Sequence, residues 1–591
     1  MCGIVGGVGH IELRSYLLKG LKSLDYRGYD SAGLAVMRNG EVYLSKVMGR
    51  VEALDAATEP FSDASVGIAH TRWATHGAPS VVNAHPHVSQ NGLFTIVHNG
   101  VIENFRALKK QLEAHHYRFV SETDTEVIAN LLERMYLSSG NVLEAIRSTM
   151  DALEGSYACA ILHKNEPNRL YFMKNASPLL VGLTEDASYL ASDAVPMIEF
   201  TSSFVDLNDL DYGYLTPGKI SLHHGYEEIA PTFTERSVDL LRNDLNGFPH
   251  YMLKEIHEIP SVLHRLRDNY FDGDQFLFDP ELIETLRKAK KVHFLACGTS
   301  FFACKLGVKY FRYLSKVASA SIASEWAYDP YDVVDKPVFI LLSQSGETAD
   351  LIRCQKIINE QNGISIAVTN TKGSTIERKA TYSCLLYAGL EVAVASTKSY
   401  LAQAAFLAML VGAIEGKTKV IVHLSALIDA VKDIIARQEE VHAIASTCTG
   451  YHDAFFVGRG HDYLGALEGA LKLKEVSYIH AEAYQGGELK HGPIALIDEN
   501  VLVIGFDSDP SLSNAIRNNL EELRARNGNV FVISTKATRH PNDTFVTESC
   551  KPHFATLPLV VFAQLFTYYV ALEKGLPIDK PRNLAKSVTV E

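Results

Sequence analysis

A cysteine directly behind the start methionine, followed by glycines at 3, 6, 7 and 9 (MCGIVGGVG), places a thiol where a nucleophile could carry its own base. Removal of Met1, which the small Cys2 side chain permits, leaves a free α-amine on the residue that bears the thiol. An α-amine titrates near ~7.7–8.0 and can take the thiol proton at neutral pH, as it does for an N-terminal threonine. The glycines would let the backbone approach a small substrate closely. The competing reading is a buried structural cysteine on a first strand.

Partners for such a thiol occur downstream. GIAHTRWATHGAPSVVNAHPH (67–87) gathers His70, Arg72, Trp73, Thr75, His76, His85 and His87. These histidines lack i, i+4 pairing and have no carboxylate among them, which fits a polar network better than a metal site. The Arg72 guanidinium could grip an α-carboxylate with two hydrogen bonds. VHNGVIEN (97–104) offers the Asn99 amide and the unhindered N–H of Gly100, the equipment of an oxyanion hole or of an ordinary Asn-Gly turn. In SETDTE (121–126), Asp124 could hold an α-ammonium or simply cap a helix.

A second group lies further along. LLSQSGETAD (341–350) sets Ser343, Gln344, Ser345, Gly346, Glu347 and Thr348 between an apolar run and a helix start. Hydroxyls and uncommitted N–H groups at a helix N-terminus suit a phosphate ester, although Ser345 or Thr348 as a plain cap would look the same. ACGTSFF (296–302), with Thr299 and Ser300, has the same character. Glu468, Lys472 and Glu475 in LEGALKLKEVSY share one helix face, as a solvated charge stripe also would. YQGGELKHGP then brings Lys490 and His491 into a glycine-rich loop able to fold over that helix, and Glu with His is what moving a proton on a carbon acid requires.

The elements that must position these residues fall into two regimes. Up to about residue 235, short β-rich runs are joined by glycine and asparagine turns such as Asn39-Gly40, with helices at ENFRALKKQLEAHH and DTEVIANLLERMYLSS. A layered α+β domain over 1–235 is expected. Asn246-Gly247 and Pro249 break the pattern, and 236–279 reads as linker and lead-in. Beyond it apolar strands alternate with amphipathic helices, as in doubly wound α/β folds with parallel sheets. Strand, glycine-containing loop and helix occur at 292–314 and again at 454–478, which predicts two related subdomains, 280–420 and 450–580, and a tail from 581 to 591.

Composition narrows the function. A chain of 591 residues exceeds one core, and its 47% hydrophobic and 21% charged content is that of a globular protein. A net charge of −13 without a basic face argues against nucleic acid. Eight cysteines with no CxxC pair indicate neither zinc knuckle nor disulfide framework and fit a reducing compartment, so a cytoplasmic location is expected. The N-terminus has neither a signal peptide's basic region nor the myristoylation pattern. FATLPLVVFAQLFTYYVAL (554–572) is uncharged, but proline, glutamine, threonine and tyrosine dilute it, and it reads as a buried helix. Neither G-x-x-x-x-G-K-[ST] nor a dinucleotide fingerprint is present, so no nucleotide cofactor is expected.

Taken together, MCGIVG, LDYRGYDSAGLA (24–35), HTRWATHG (70–77), HNG (98–100) and ETDTE resemble the class II glutamine amidotransferases, whose N-terminal-nucleophile domain hydrolyses glutamine. CGTS, SQSGETAD, VASTKSY (394–400), ALEGALKLKE, AEAY, GELKHGP and PRNLAKSVTVE resemble tandem sugar isomerase (SIS) domains. In this order and over nearly the whole chain, the motifs resemble the glutamine:fructose-6-phosphate amidotransferase (isomerizing), or glucosamine-6-phosphate synthase, family.

The resemblance implies that Cys2 attacks the glutamine amide, that Asn99 and Gly100 hold the oxyanion, and that Arg72, Thr75, His76 and Asp124 fix the amino-acid end. Trp73 would gate an internal ammonia channel. At the sugar, Thr299, Ser300, Ser343, Gln344, Ser345 and Thr348 would bind phosphate and hydroxyls, with Val394, Ser396 and Ala585 nearby. His491 would open the ring, Lys586 would form an imine with the ketone, and Glu475 would move a proton between C1 and C2 with Lys472 assisting. No cofactor or metal is implied, because two carbons of one sugar change oxidation state in opposite senses. The partners implied are glutamine and fructose 6-phosphate, with neither membrane nor nucleic acid, in a homodimer. Rival readings are a glutamine amidotransferase with another acceptor, against which the repeated SIS motifs speak, and a sugar-phosphate sensor, for which no DNA-binding helix-turn-helix is apparent.

Overall fold

Along Gly3–Gly9 the side chains alternate, Ile4 and Val8 to one face and Val5 to the other, and both faces are buried. A strand covered on both sides must sit inside a layered domain. In the computed structural model, which describes all residues except 1, 25–27, 29, 75, 236–244, 332–336 and 589–591, that is what it does. The chain forms two compact units, one of residues 1–242 with 587–591 and one of 243–586.

The first unit stacks two antiparallel sheets of eight and seven strands. Gly3–Gly9 pairs with Val66–Arg72 on one side and Ala187–Ala191 on the other. Ile4, Val8, Ile68, Val97 and Phe172 fill the space between the sheets. Helix Leu13–Ser23 covers the outside of the first sheet, and helices Asp124–Ser139 and Val142–Ala152 cover the second, giving four layers. Asn39-Gly40 makes the expected hairpin between Ser31–Arg38 and Glu41–Met48, both turn residues having positive φ (51° and 79°).

The second unit contains two five-stranded parallel sheets, doubly wound as expected. Taken in chain order, each sheet is arranged 2-1-3-4-5, so the repeat legible in the sequence is a repeat of topology. In the first sheet Lys291–Ala296 leads into helix Gly298–Arg312, and in the second Asp453–Gly458 leads into helix His461–Ser477. Val338–Ser343 and Val501–Asp507 are buried throughout, the pattern of strands covered on both faces.

Residues 251–270, within the segment read as linker and lead-in, form one helix whose Met252, Ile256, Ile259 and Leu263 are fully buried in the core of the second unit. Their three- and four-residue spacing gives the apolar stripe, and Pro260 interrupts it without ending it. Leu557–Glu573 is the buried helix expected, and among the described residues no helix is long and apolar enough to cross a membrane.

Candidate active sites

Cys2 stands immediately before the central strand of the first sheet, beside the end of Val66–Arg72. The Trp73 backbone N–H donates to Cys2 Sγ at 3.2 Å, and the thiol reaches the Trp73 carbonyl at 3.6 Å. Burial pushes the Cys2 thiol up, partly offset by that N–H and by Arg72, so it needs a base to become the attacking thiolate.

Asn99 is held in one orientation. Its Nδ2 donates to the Cys2 carbonyl at 3.0 Å, while His70 Nε2 lies 3.0 Å from both Asn99 Oδ1 and the His98 carbonyl. Two acceptors around one ring nitrogen require the proton to be there. Burial pushes His70 down to about 3, so the ring is neutral. Gly100 has φ +132°, and a Cβ there would lie 2.0 Å from the Ser156 carbonyl oxygen, so only glycine fits.

Arg72 is buried and hydrogen-bonds the carbonyls of His76 and Gly77, the latter at 3.0 Å, while its Nη1 has no partner among the described residues. An unpartnered guanidinium N–H is a ready donor for a substrate carboxylate. Helix Asp124–Ser139 is capped by Thr123, which accepts from the Glu126 N–H, while Glu126 itself accepts from the N–H groups of Val120 and Ser121 at 2.9 and 2.7 Å. The cap that SETDTE advertises is therefore Thr123. Asp124 is left to accept from the Ile102 N–H at 2.9 Å and to line, with Cys2, Arg72, Trp73 and Gly100, one small cavity. His76 packs edge-on against Phe105, and Thr75 lies outside the described residues.

In the second unit Lys472 joins the two parallel-sheet subdomains. Its Nζ donates to Glu475 at 2.6 Å and to Thr299 Oγ1 at 3.1 Å, and Glu468 lies 3.5 Å away. The helix face legible as a possible solvent stripe is thus interior, with Lys472 and Glu468 buried and Glu475 partly so. Burial opposes the Lys472 charge, but Glu468 and Glu475 outweigh it and hold the ammonium above the ordinary lysine range. Burial pushes Glu468 up to about 8 against the pull of Lys472. Ser300 Oγ accepts from Gln403 at 2.9 Å.

The 343–348 loop turns on Gly346 (φ +67°), where a Cβ would strike Ser374 Oγ. Ser343 Oγ accepts from the Gly346 N–H and pairs with Thr348 Oγ1, both at 3.0 Å, and Ser345 Oγ accepts from the Glu347 N–H at 3.1 Å. Thr348 is the N-cap residue of Ala349–Glu360 but makes no side-chain cap bond, which leaves the helix N-terminus to other acceptors. Gln344 is half-buried beside it.

The Lys586 side chain is 3% exposed, with Nζ 2.5 Å from Glu391 Oε2 and 3.3 Å from Ser396 Oγ. Val394, in the same loop, donates its N–H to the Asp579 carbonyl at 2.9 Å, and half-buried Ala585 precedes the lysine. His491 ends a short 3-10 turn and is exposed, and among the described residues no hydrogen bond joins it to Lys472, Glu475 or Lys586. No group of three or more His, Cys, Asp or Glu among the described residues could hold a metal ion.

Sequence reading missed Glu391, which binds Lys586 and accepts from the N–H groups of Thr397 and Ser399, both at 3.0 Å. An acid directly ahead of a hydroxyl-bearing run (EVAVASTKS) was the available signal.

The glutamine amidotransferase domain family matches residues 70–198, and the SIS domain family matches 285–413 and 450–550. Glutamine--fructose-6-phosphate aminotransferase [isomerizing] of Geobacillus kaustophilus is 43% identical over 603 residues, and the enzyme of that name from Streptococcus pneumoniae strain R6 is 40% identical over 605, each covering 100% of both chains. The solved C-terminal domain of glucosamine-fructose-6-phosphate aminotransferase from Francisella tularensis superposes with TM-score 0.53 at 32% identity, covering 57% of this chain and 100% of that one.

Proposed function

Because this chain belongs to the glutamine--fructose-6-phosphate aminotransferase (isomerizing) family, we propose that it makes glucosamine 6-phosphate and glutamate from fructose 6-phosphate and glutamine. The first half-reaction is hydrolysis of the glutamine amide. With Met1 removed, the α-amine of Cys2 takes the thiol proton as Sγ attacks the carboxamide carbon. Asn99 Nδ2, turned toward Cys2 by His70, and the Gly100 N–H receive the oxyanion. Arg72, with its unpartnered Nη1, holds the α-carboxylate; Asp124 holds the α-ammonium; Thr75 and His76 complete the cradle. Ammonia leaves past Trp73, shielded from water that would protonate and dilute it, and water releases glutamate from the thioester.

In the second half-reaction the N-terminus of Ala349–Glu360, with Ser343, Gln344, Ser345 and Thr348, binds the sugar phosphate, and Thr299 and Ser300 bind hydroxyls. His491 opens the furanose ring. Lys586, as a neutral amine, attacks the C2 ketone and loses water to give an imine, which ammonia displaces. Glu475 carries a proton from C1 to C2, with Lys472 holding its carboxylate in place, and the ketose imine becomes the aldose amine.

The observation that carries this reading is Lys586, whose side chain is buried on Glu391 and Ser396 instead of extending into solvent. We propose further that the enzyme is a cytoplasmic homodimer; all eight cysteines are free thiols, as a reducing compartment requires. Cys2→Ala is expected to abolish glutamine hydrolysis and leave sugar isomerisation in place, with Lys586→Ala giving the opposite pattern. A Cys2→Ala chain that still hydrolyses glutamine would overturn the first half of the mechanism.

A further inference from the structure

Glu255 lies on the helix Tyr251–Tyr270, outside every sequence motif quoted above, and it is 2% exposed. Its Oε1 accepts from the N–H groups of Val392 and Ala393, the latter at 3.2 Å, so the carboxyl grips the backbone next to Glu391. Its Oε2 is buried without a partner among the described residues. The start of the same helix is tied to the C-terminal segment, because Asp579 accepts from the N–H groups of Tyr251 and Met252 at 2.9 and 2.8 Å while its own carbonyl takes the Val394 N–H. The 391–397 loop, which presents Glu391 and Ser396 to Lys586, is thus clamped between this helix and the segment that ends in the lysine.

The charges around Glu255 can be counted. Glu391 acts on it from the loop, Lys398 from the start of the helix that follows, Lys398–Glu415, and Lys586 from the C-terminal segment. On its own helix Glu258 takes Lys398 at 2.6 Å and Lys254 at 3.7 Å, while Glu391 takes Lys586. Each buried ammonium already has its carboxylate, so a charged Glu255 would be a surplus anion with an unsatisfied oxygen in a dry site. Burial, with Glu391 adding to it, pushes Glu255 up to about 8, whereas Lys586 and the N–H donors outweigh burial and hold Glu391 down at about 2.

We propose that Glu255 is a positioning residue of the sugar site, holding through two backbone N–H groups the loop that presents Glu391 and Ser396 to Lys586.

The proposal rests on the imine role of Lys586, and the experiment separates the two. Borohydride is added with fructose 6-phosphate to the full chain, and the adduct on the C-terminal peptide is followed by mass spectrometry at pH 6.5 for the wild type, K586A, E255Q and E255A, with glutamine hydrolysis as a control. E255Q keeps the acceptor for both N–H groups and cannot ionise. It is expected to form the adduct within about twofold of the wild type, because the loop keeps its anchor. E255A, which releases the loop, is expected to lose about tenfold or more in adduct formation at pH 6.5, with glutamine hydrolysis unchanged. An adduct that survives in K586A contradicts the lysine assignment and this proposal with it. If K586A abolishes the adduct but E255A forms it at the wild-type rate, or E255Q loses it as E255A does, the assignment stands and the role of Glu255 is wrong.

Discussion

The two SIS subdomains share a strand order and differ at the crest of the sheet. In the first, the strand Val338–Ser343 runs into hydroxyls and a helix start without a side-chain cap. In the second, the equivalent strand Val501–Asp507 runs into Arg517, which pairs with Asp507 at 2.7 Å and with Asp543 at 2.5 Å, while Ser534 donates to Asp543 at 2.5 Å. Asp462, in the first turn after Asp453–Gly458, accepts from Ser508 Oγ at 2.5 Å. One crest offers donors to an anion, and the other has matched its cation to its own carboxylates. The phosphate site proposed above therefore lies at the first crest. What the second copy contributes is the inner face of its first helix, where Lys472 reaches across to Thr299.

Lys472→Ala bears hardest on this contrast, because it removes the cation between Glu468 and Glu475. Loss of one partner of a buried ion pair costs about 3–5 kcal/mol, so chemical denaturation should show the second unit strongly destabilised and aminosugar formation should vanish. Arg517→Ala should cost a similar amount by leaving Asp507 and Asp543 buried together, yet the folded fraction should keep its KM for fructose 6-phosphate. A raised KM there would mean that the second crest also binds sugar. Changing Ser345 and Thr348 together to alanine should weaken fructose 6-phosphate binding by about 1.5–3 kcal/mol for each charge-assisted hydrogen bond lost, measured by calorimetry, with glutamine hydrolysis little changed. An unaltered affinity would reduce the loop to a helix start.

A smaller effect distinguishes the two units by pH. In the first, burial lowers His70 to about 3 and also lowers His85, His87 and His98, so the unfolded chain binds more protons and stability falls as pH drops below about 6.5. In the second, Glu255 and Glu468 are raised to about 8, so their contribution is complete below the ordinary value of 4.5 and is lost as pH rises through 8. Glu391, held at about 2, acts oppositely and only in acid. Scanning calorimetry of the full chain should show acid lowering the transition of the first unit and mild alkali that of the second.

Much of this was legible in local sequence because local rules decide it. The Asn39-Gly40 hairpin, the repeated strand-loop-helix units and the uncharged helix at the C-terminus each depend on residues within one window. Asp124 shows the limit of a window: SETDTE contains a helix cap, but only the backbone geometry says that Thr123 is the cap and Asp124 faces the thiol. The Glu468, Lys472, Glu475 spacing gave a shared face and not its burial, which follows from packing against the helix Gly298–Arg312. Lys586 and Glu391 are 195 positions apart, and Val392 lies 137 positions from Glu255. Partnerships at such separations depend on the tertiary fold, and Glu255 carried no mark of its role in composition or spacing.

Transfer of nitrogen from glutamine to the sugar within one enzyme is the central claim, and an isotope follows it directly. The chain is incubated with glutamine labelled with nitrogen-15 in the side-chain amide and unlabelled fructose 6-phosphate, in excess unlabelled ammonium, and the products are resolved by mass spectrometry. Glucosamine 6-phosphate carrying the label, in a one-to-one ratio with glutamate, is the expected result. Labelled ammonium in solution with no aminosugar, or aminosugar bearing only the unlabelled isotope, would contradict it.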